Sequence, residues 1–165
     1  MHTNEYKNNL INQISTELDN MNLKYSINEN NDLIHFAMKN DEIFFRVRIL
    51  VDKFGLRIYC FRDEKIPKDC FNKITEYIAY LNWTMKFGGF EFNKTQDRFR
   101  FKIYMALSES DFKKEMSFPK TITRCIRVAF EAMQKYEPGV TRIINNPELD
   151  VKKVAEEIIY SSDKK

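Results

Sequence analysis

The sequence predicts an α+β fold, an antiparallel sheet with helices packed on one of its faces. Three observations carry this. Ile43, Phe45, Val47, Ile49 and Val51 alternate strictly with Phe44, Arg46, Arg48 and Leu50, the period of a strand with one oily face. A helical pattern reaching about Met85 stops at Gly88-Gly89, and a two-stranded ribbon begins at once with Phe90 and Phe92. The strands come as hairpins on short turns, whereas parallel strands would need a crossover between each pair.

Along the chain, residues 4–21 place Leu10, Ile11, Ile14, Leu18 and Met21 at three- and four-residue spacing, one apolar stripe on a first helix. Asn28-Glu29-Asn30-Asn31-Asp32 is a turn cluster, 33–38 a short strand, and Asn40-Asp41 turns the chain into the strand 43–51. Asp52-Lys53-Phe54-Gly55 closes a tight connection in which Gly55 can take a left-handed conformation. Leu56, Ile58 and Cys60 then alternate with Arg57, Tyr59 and Phe61. Pro67 opens the second helix, where its missing N–H is no loss, and Phe71, Ile74, Ile78 and Leu81 recur at helical spacing. A polar turn over Asn93-Lys94-Thr95-Gln96-Asp97 joins the ribbon's strands, and 98–107 returns antiparallel.

Residues 108–117 read as a loop. Pro119 opens a long helix carrying Ile122, Cys125, Ile126, Ala129 and Met133, which Pro138-Gly139 should interrupt. Asn145-Asn146-Pro147 breaks the chain again, and Val151, Val154, Ile158 and Ile159 give a final short helix. The predicted order is α-β-β-β-α-β-β-α with a C-terminal helical tail. No repeat or linker is visible, so residues 1–165 form a single domain, its core about 8–145 and its tail 146–165.

Hydrophobic residues at 43% and charged residues at 31% are the balance of a soluble globular protein, not a disordered one. Fourteen Phe against four Gly and four Pro favour long regular elements. The net charge of +3 is too mild to demand or exclude a nucleic-acid partner. Cys60, Cys70 and Cys125 lack any ligand spacing and read as small buried thiols in a reducing cytoplasm. The N-terminus has no apolar signal core, and no run approaches the ~18 apolar residues of a membrane span. A cytoplasmic protein with no membrane contact is expected.

With the elements so placed, the chain resembles the YbjN-like family, described as bacterial sensory transduction regulators. The matching pieces are the strand 44–51 turning into 56–61, Ile66-Pro67, Leu81-Asn82, Gly89-Phe90-Glu91 and Arg98-Phe99-Arg100-Phe101, together spanning roughly 8–145. The resemblance implies a fold like that of type III secretion chaperones, which commonly dimerise and hold partner polypeptides. It implies no active site. One departure stands out: a glycine is expected in the turn after Phe92, and residues 93–97 contain none.

Two strand faces separate by parity. Ile43, Phe45, Val47, Ile49, Leu56, Ile58, Phe99, Phe101, Ile103 and Met105 form the face that must pack on the helices. Phe44, Arg46, Arg48, Arg57, Tyr59, Phe61, Arg98, Arg100, Lys102 and Tyr104 form the other, the candidate partner-binding face. Cations among rings admit three readings: arginines merely solvated along ring edges, a surface for an acidic polypeptide or second subunit, or single-stranded nucleic acid stacked on Tyr59, Phe61 and Tyr104. The Gly-flanked aromatic strand of RNA-recognition domains is absent from 98–104.

Catalysis finds little support. His2 lies at the terminus, and nothing beside His35 in sequence supplies a nucleophile or orienting group. Asp63-Glu64 and Glu156-Glu157 are adjacent carboxylates whose side chains diverge, and Phe87-Gly88-Gly89-Phe90 lacks phosphate-loop spacing. No catalytic residue, cofactor or metal ligand is therefore assigned. Trp83 is placed in the core, with interface anchoring as the other use of a lone tryptophan. Val151, Val154, Ile158 and Ile159 come after the sheet is already filled, which points to a homodimer. The sequence thus describes a non-enzymatic protein-protein interaction module, chaperone-like or regulatory, with single-stranded nucleic-acid binding as the alternative.

Overall fold

The computed structural model describes residues 2–40, 43–52, 55–107 and 118–161. The chain forms six strands: β1 (Tyr25–Ile27), β2 (Leu33–Asn40), β3 (Ile43–Asp52), β4 (Gly55–Phe61), β5 (Gly89–Asn93) and β6 (Arg98–Ala106). Helical spacing builds α1 (His2–Asn20), α2 (Phe71–Thr84), α3 (Phe118–Asn145) and α4 (Val151–Ile159). A 3-10 turn, Lys68–Cys70, follows Pro67 and leads into α2. The strands form one sheet in the order β1-β2-β3-β4-β6-β5, antiparallel at every pairing. The α+β expectation holds, with one strand more than the sequence suggested, since β1 was too short to carry a period.

Period two sets which side chains meet the helices. Phe45, Val47, Ile49, Leu56, Ile58, Phe99, Phe101 and Ile103 are all buried, joined by Ile34 and Phe36 of β2. Burying each such side chain is worth about 1.5–3 kcal/mol, so a one-residue slip of register would be prohibitive. Packed on this face, α3 touches β3, β4 and β6, α1 touches α3 and β3, and α2 lies against β5.

The interruption expected at Pro138-Gly139 does not occur. α3 runs unbroken through both residues. An interior proline costs a helix about 3 kcal/mol, but Met133, Tyr136, Val140 and Ile143 are buried on either side of it, and that burial outweighs the penalty. Gly139 has a packing role. A Cβ there would collide with the hydroxyl of Tyr77, which is buried and donates to the Tyr136 carbonyl at 2.9 Å.

The tail also behaves differently from expectation. Val151, Val154, Ala155 and Ile158 are buried within the one chain, because α4 packs against both α2 and α3. The tail residues that argued for a homodimer are therefore covered within the one chain.

The glycine-free hairpin turn has a simple answer. Asp97 takes the left-handed conformation, φ 55°, that a glycine would otherwise supply. The Asn93 side chain accepts from the Thr95 and Gln96 amides at 3.1 and 3.2 Å, holding the turn. Gly55 has φ 144°, and a side chain there would strike the Met105 carbonyl. The expected turn at Asp41, the connection at Lys53-Phe54 and the loop 108–117 lie outside the described residues.

An edge strand leaves backbone groups that invite pairing with other chains. At β5 the side chain of Asn82 meets them: its Oδ1 accepts from the Phe90 amide at 2.7 Å and its Nδ2 donates to the Phe90 carbonyl at 3.0 Å. The side-chain amide stands where a neighbouring strand would bond.

Candidate binding face

The side of the sheet away from the helices collects the outward member of each alternation. Cross-strand register sets Ser26, His35, Arg48, Tyr59, Lys102 and Gly89 in one row across all six strands. The next row holds Ala37, Arg46, Phe61, Arg100 and Glu91. A third holds Leu33, Leu50, Arg57 and Tyr104. Phe44 and Arg98 lie on the same face by parity along β3 and β6, so all ten sequence-predicted residues share it.

Diagonal neighbours bring guanidinium groups over rings. Arg100 lies over Tyr59 at 4.2 Å, while Arg48 and Arg98 lie over Phe61 at 5.0 and 5.6 Å. Phe61 is consequently only 4% exposed, a correction to its reading as an open stacking ring. Phe44 and Tyr104 remain exposed. Trp83, placed in the core by sequence, is 91% exposed instead. It follows the buried Leu81 near the end of α2, where the helix turns its core-facing stripe away from residue 83.

Three carboxylates that the sequence reading did not place on this face organise the cations. Asp63 pairs with Arg46 and, at 3.2 Å, with Arg98. Glu91 pairs with Lys102 and, at 2.8 Å, with Arg100. Asp52 receives Arg57 at 2.5 Å. The signal was available, because Asp52, Asp63 and Glu91 continue the parity of the outward residues on β3, β4 and β5. Arg48 is different: among the described residues it meets no carboxylate, only the Phe61 ring. With Lys39, which lies over Phe44, seven cations face these three carboxylates among the described residues, an excess of four positive charges. Leu33, Leu50, Arg48 and Arg98 line a depression of about 210 Å³ on this face.

Burial works to raise the Glu91 carboxyl, but bonds from Lys102 and Arg100 outweigh it and hold the group below the ordinary glutamate range. A depressed folded value means Glu91 contributes stability at neutral pH. That contribution is lost as pH falls below the unfolded value of about 4.3 and through the lower folded one. Urea midpoints measured against pH should therefore drop more steeply on the acid side for the wild type than for Glu91→Gln. Parallel curves would remove Glu91 from the face's electrostatics.

His35 is bonded to Ser26, with Oγ and Nε2 at 2.8 Å. The neighbour of His35 on the other flank is Arg48, a cation where a hydrolytic triad needs a carboxylate. Among the described residues no group of three or more His, Cys, Asp or Glu converges as a metal site requires. Cys60, Cys70 and Cys125 are buried free thiols. No helix among the described residues is long and apolar enough to cross a membrane. Comparisons of the chain with protein-family models, curated proteins and solved structures returned no match.

Proposed function

We propose that the chain is a non-enzymatic protein-binding module whose open sheet face takes an acidic polypeptide segment. The resemblance to the YbjN-like family points to the same class of role, chaperone-like or regulatory. The observation that carries the reading is Arg48: a guanidinium held over Phe61 at 5.0 Å with no carboxylate of its own, amid an excess of positive charge. Such a group is preorganised for a carboxylate, which arginine binds bidentately. The nucleic-acid alternative is disfavoured by the same contacts, because the faces of Tyr59 and Phe61 that bases would stack on are already covered by Arg100, Arg48 and Arg98.

The test is capture of proteins from a cell lysate, with wild type compared with Arg48→Glu after both pass a thermal-melt check. Arg48 carries no ion pair whose loss would disturb the fold, unlike Arg100, which is tied to Glu91. Like charges across an interface cost several kcal/mol, so partners rich in Asp and Glu should be lost from the variant by about a hundredfold or more. An unchanged set of captured proteins would remove this face from the function. Capture that disappears on nuclease treatment and falls steeply with salt would favour nucleic acid instead.

A further inference from the structure

Away from the open face, where the chain leaves β4 and passes under α3, Arg62 joins three side chains. Its Nε and Nη2 donate to the two oxygens of Glu64 at 2.8 and 2.7 Å. Its Nη1 donates to Oε1 of Glu137 at 2.6 Å and reaches the Thr141 hydroxyl at 3.4 Å. The Thr141 hydroxyl donates to the same Oε1 at 2.8 Å. Glu137 is only 5% exposed, the one charged residue among the described residues that is buried in the core.

Both of these hydrogen bonds fall on Oε1. Among the described residues, Oε2 of Glu137 receives none, yet it is not sealed in as an unsatisfied atom. Glu137 lines a hollow of about 210 Å³ whose apolar walls are Ile66, Phe99, Met133, Val140 and Ile144. Because Oε2 is not sealed in, a donor in the hollow would exchange with water on a carboxylate whose other oxygen is already bonded. The guanidinium cannot serve an anion here, because nearly all its donors are committed to Glu64, Glu137 and Thr141. The charged lining is Arg62, Lys65, Glu64 and Glu137, which sum to zero, and of these Glu64 and Lys65 are exposed to water at the rim.

We propose that this hollow binds a small primary ammonium ligand with an apolar body, its ammonium on Oε2 of Glu137. Size agrees with such a ligand: an apolar cavity of about 150 Å³ accepts benzene, so this one has room for a ring and a short charged arm. Charge-assisted bonds are roughly twice as strong as neutral ones, which favours ammonium over hydroxyl. The site is independent of the open sheet face and of the polypeptide reading given to it.

Benzylamine, benzyl alcohol and benzoate present one body with three heads and serve as probes. Methyl resonances of Ile66, Met133, Val140 and Ile144 should shift saturably with benzylamine, about tenfold more weakly with benzyl alcohol, and not at all with benzoate. In Glu137→Gln, Arg62 keeps its bidentate bond to Glu64, and the preference for the amine over the alcohol should vanish. The comparison of the three probes on the unmutated protein stands even if that variant folds poorly. Equal shifts with all three probes, or none with benzylamine, would overturn the proposal.

Discussion

Phe101→Ala is expected to destabilise the protein by about 3–5 kcal/mol, the usual cost of emptying a buried aromatic site. Phe101 is 0% exposed and stands at the centre of the sheet's packed face. Its register neighbours are Cys60 on β4 and Phe90 on β5, and its ring meets that of Phe90 edge-on at 4.9 Å. Gly88, at φ 76°, brings its backbone against the same ring, and a Cβ there would lie 2.7 Å from it. Strands bonded on both flanks of β6 prevent the site from collapsing, so the cavity term should persist. Tyr104→Ala is the control on the same strand: its ring is 49% exposed on the opposite face, and the change should stay within about 0.5 kcal/mol. Urea denaturation of both variants measures the contrast. A small effect at Phe101 together with a large one at Tyr104 would mean the strand is turned over.

The contrast works because side-chain parity is a local property, and local properties are what a sequence carries openly. Arg46, Arg48, Arg57, Tyr59, Arg98, Arg100 and Lys102 could be assigned to one face from alternation alone, and the register bears that out. Alternation does not say which strands are neighbours. That β6 inserts between β4 and β5 is what lets Arg100 reach both the Tyr59 ring and Glu91, and what encloses Phe61 between Arg48 and Arg98. Most of the face was legible as a set of residues, but its ion pairs were not.

Pro138-Gly139 failed for a related reason. Propensity treats the dipeptide as a break, while Tyr77, far away in sequence, converts the glycine into the space its hydroxyl needs. The tail misled in the same way, since sequence could not say that α2 and α3 together leave room for α4. Leu81-Asn82 and Gly89-Phe90-Glu91 were visible as motifs, and tertiary contact explains them. Leu81 is core, Asn82 occupies the edge of β5 at Phe90, and Glu91 pairs with Arg100 and Lys102.

The second large effect is expected at Arg62→Met. Glu137 has a side chain only 7% exposed, and Arg62 is its one ion-pair partner among the described residues. Removing one member of a buried pair leaves an uncompensated charge, which costs about 3–5 kcal/mol, whereas replacing both by apolar groups is often neutral. Arg62→Met should therefore be far more damaging than its chemistry suggests, since the methionine can still cover the apolar wall near Ile66 and Val140. Adding Glu137→Leu to Arg62→Met should recover most of the loss, and the double-mutant cycle isolates the coupling between the two side chains. Glu64 gives the internal comparison: it pairs with the same guanidinium but its side chain is 64% exposed, so Glu64→Gln should cost no more than about 1 kcal/mol. Chemical denaturation of the wild type, Arg62→Met, Glu137→Leu, the double variant and Glu64→Gln measures these differences. If Arg62→Met costs no more than Glu64→Gln, Arg62 and Glu137 do not act as a coupled buried pair.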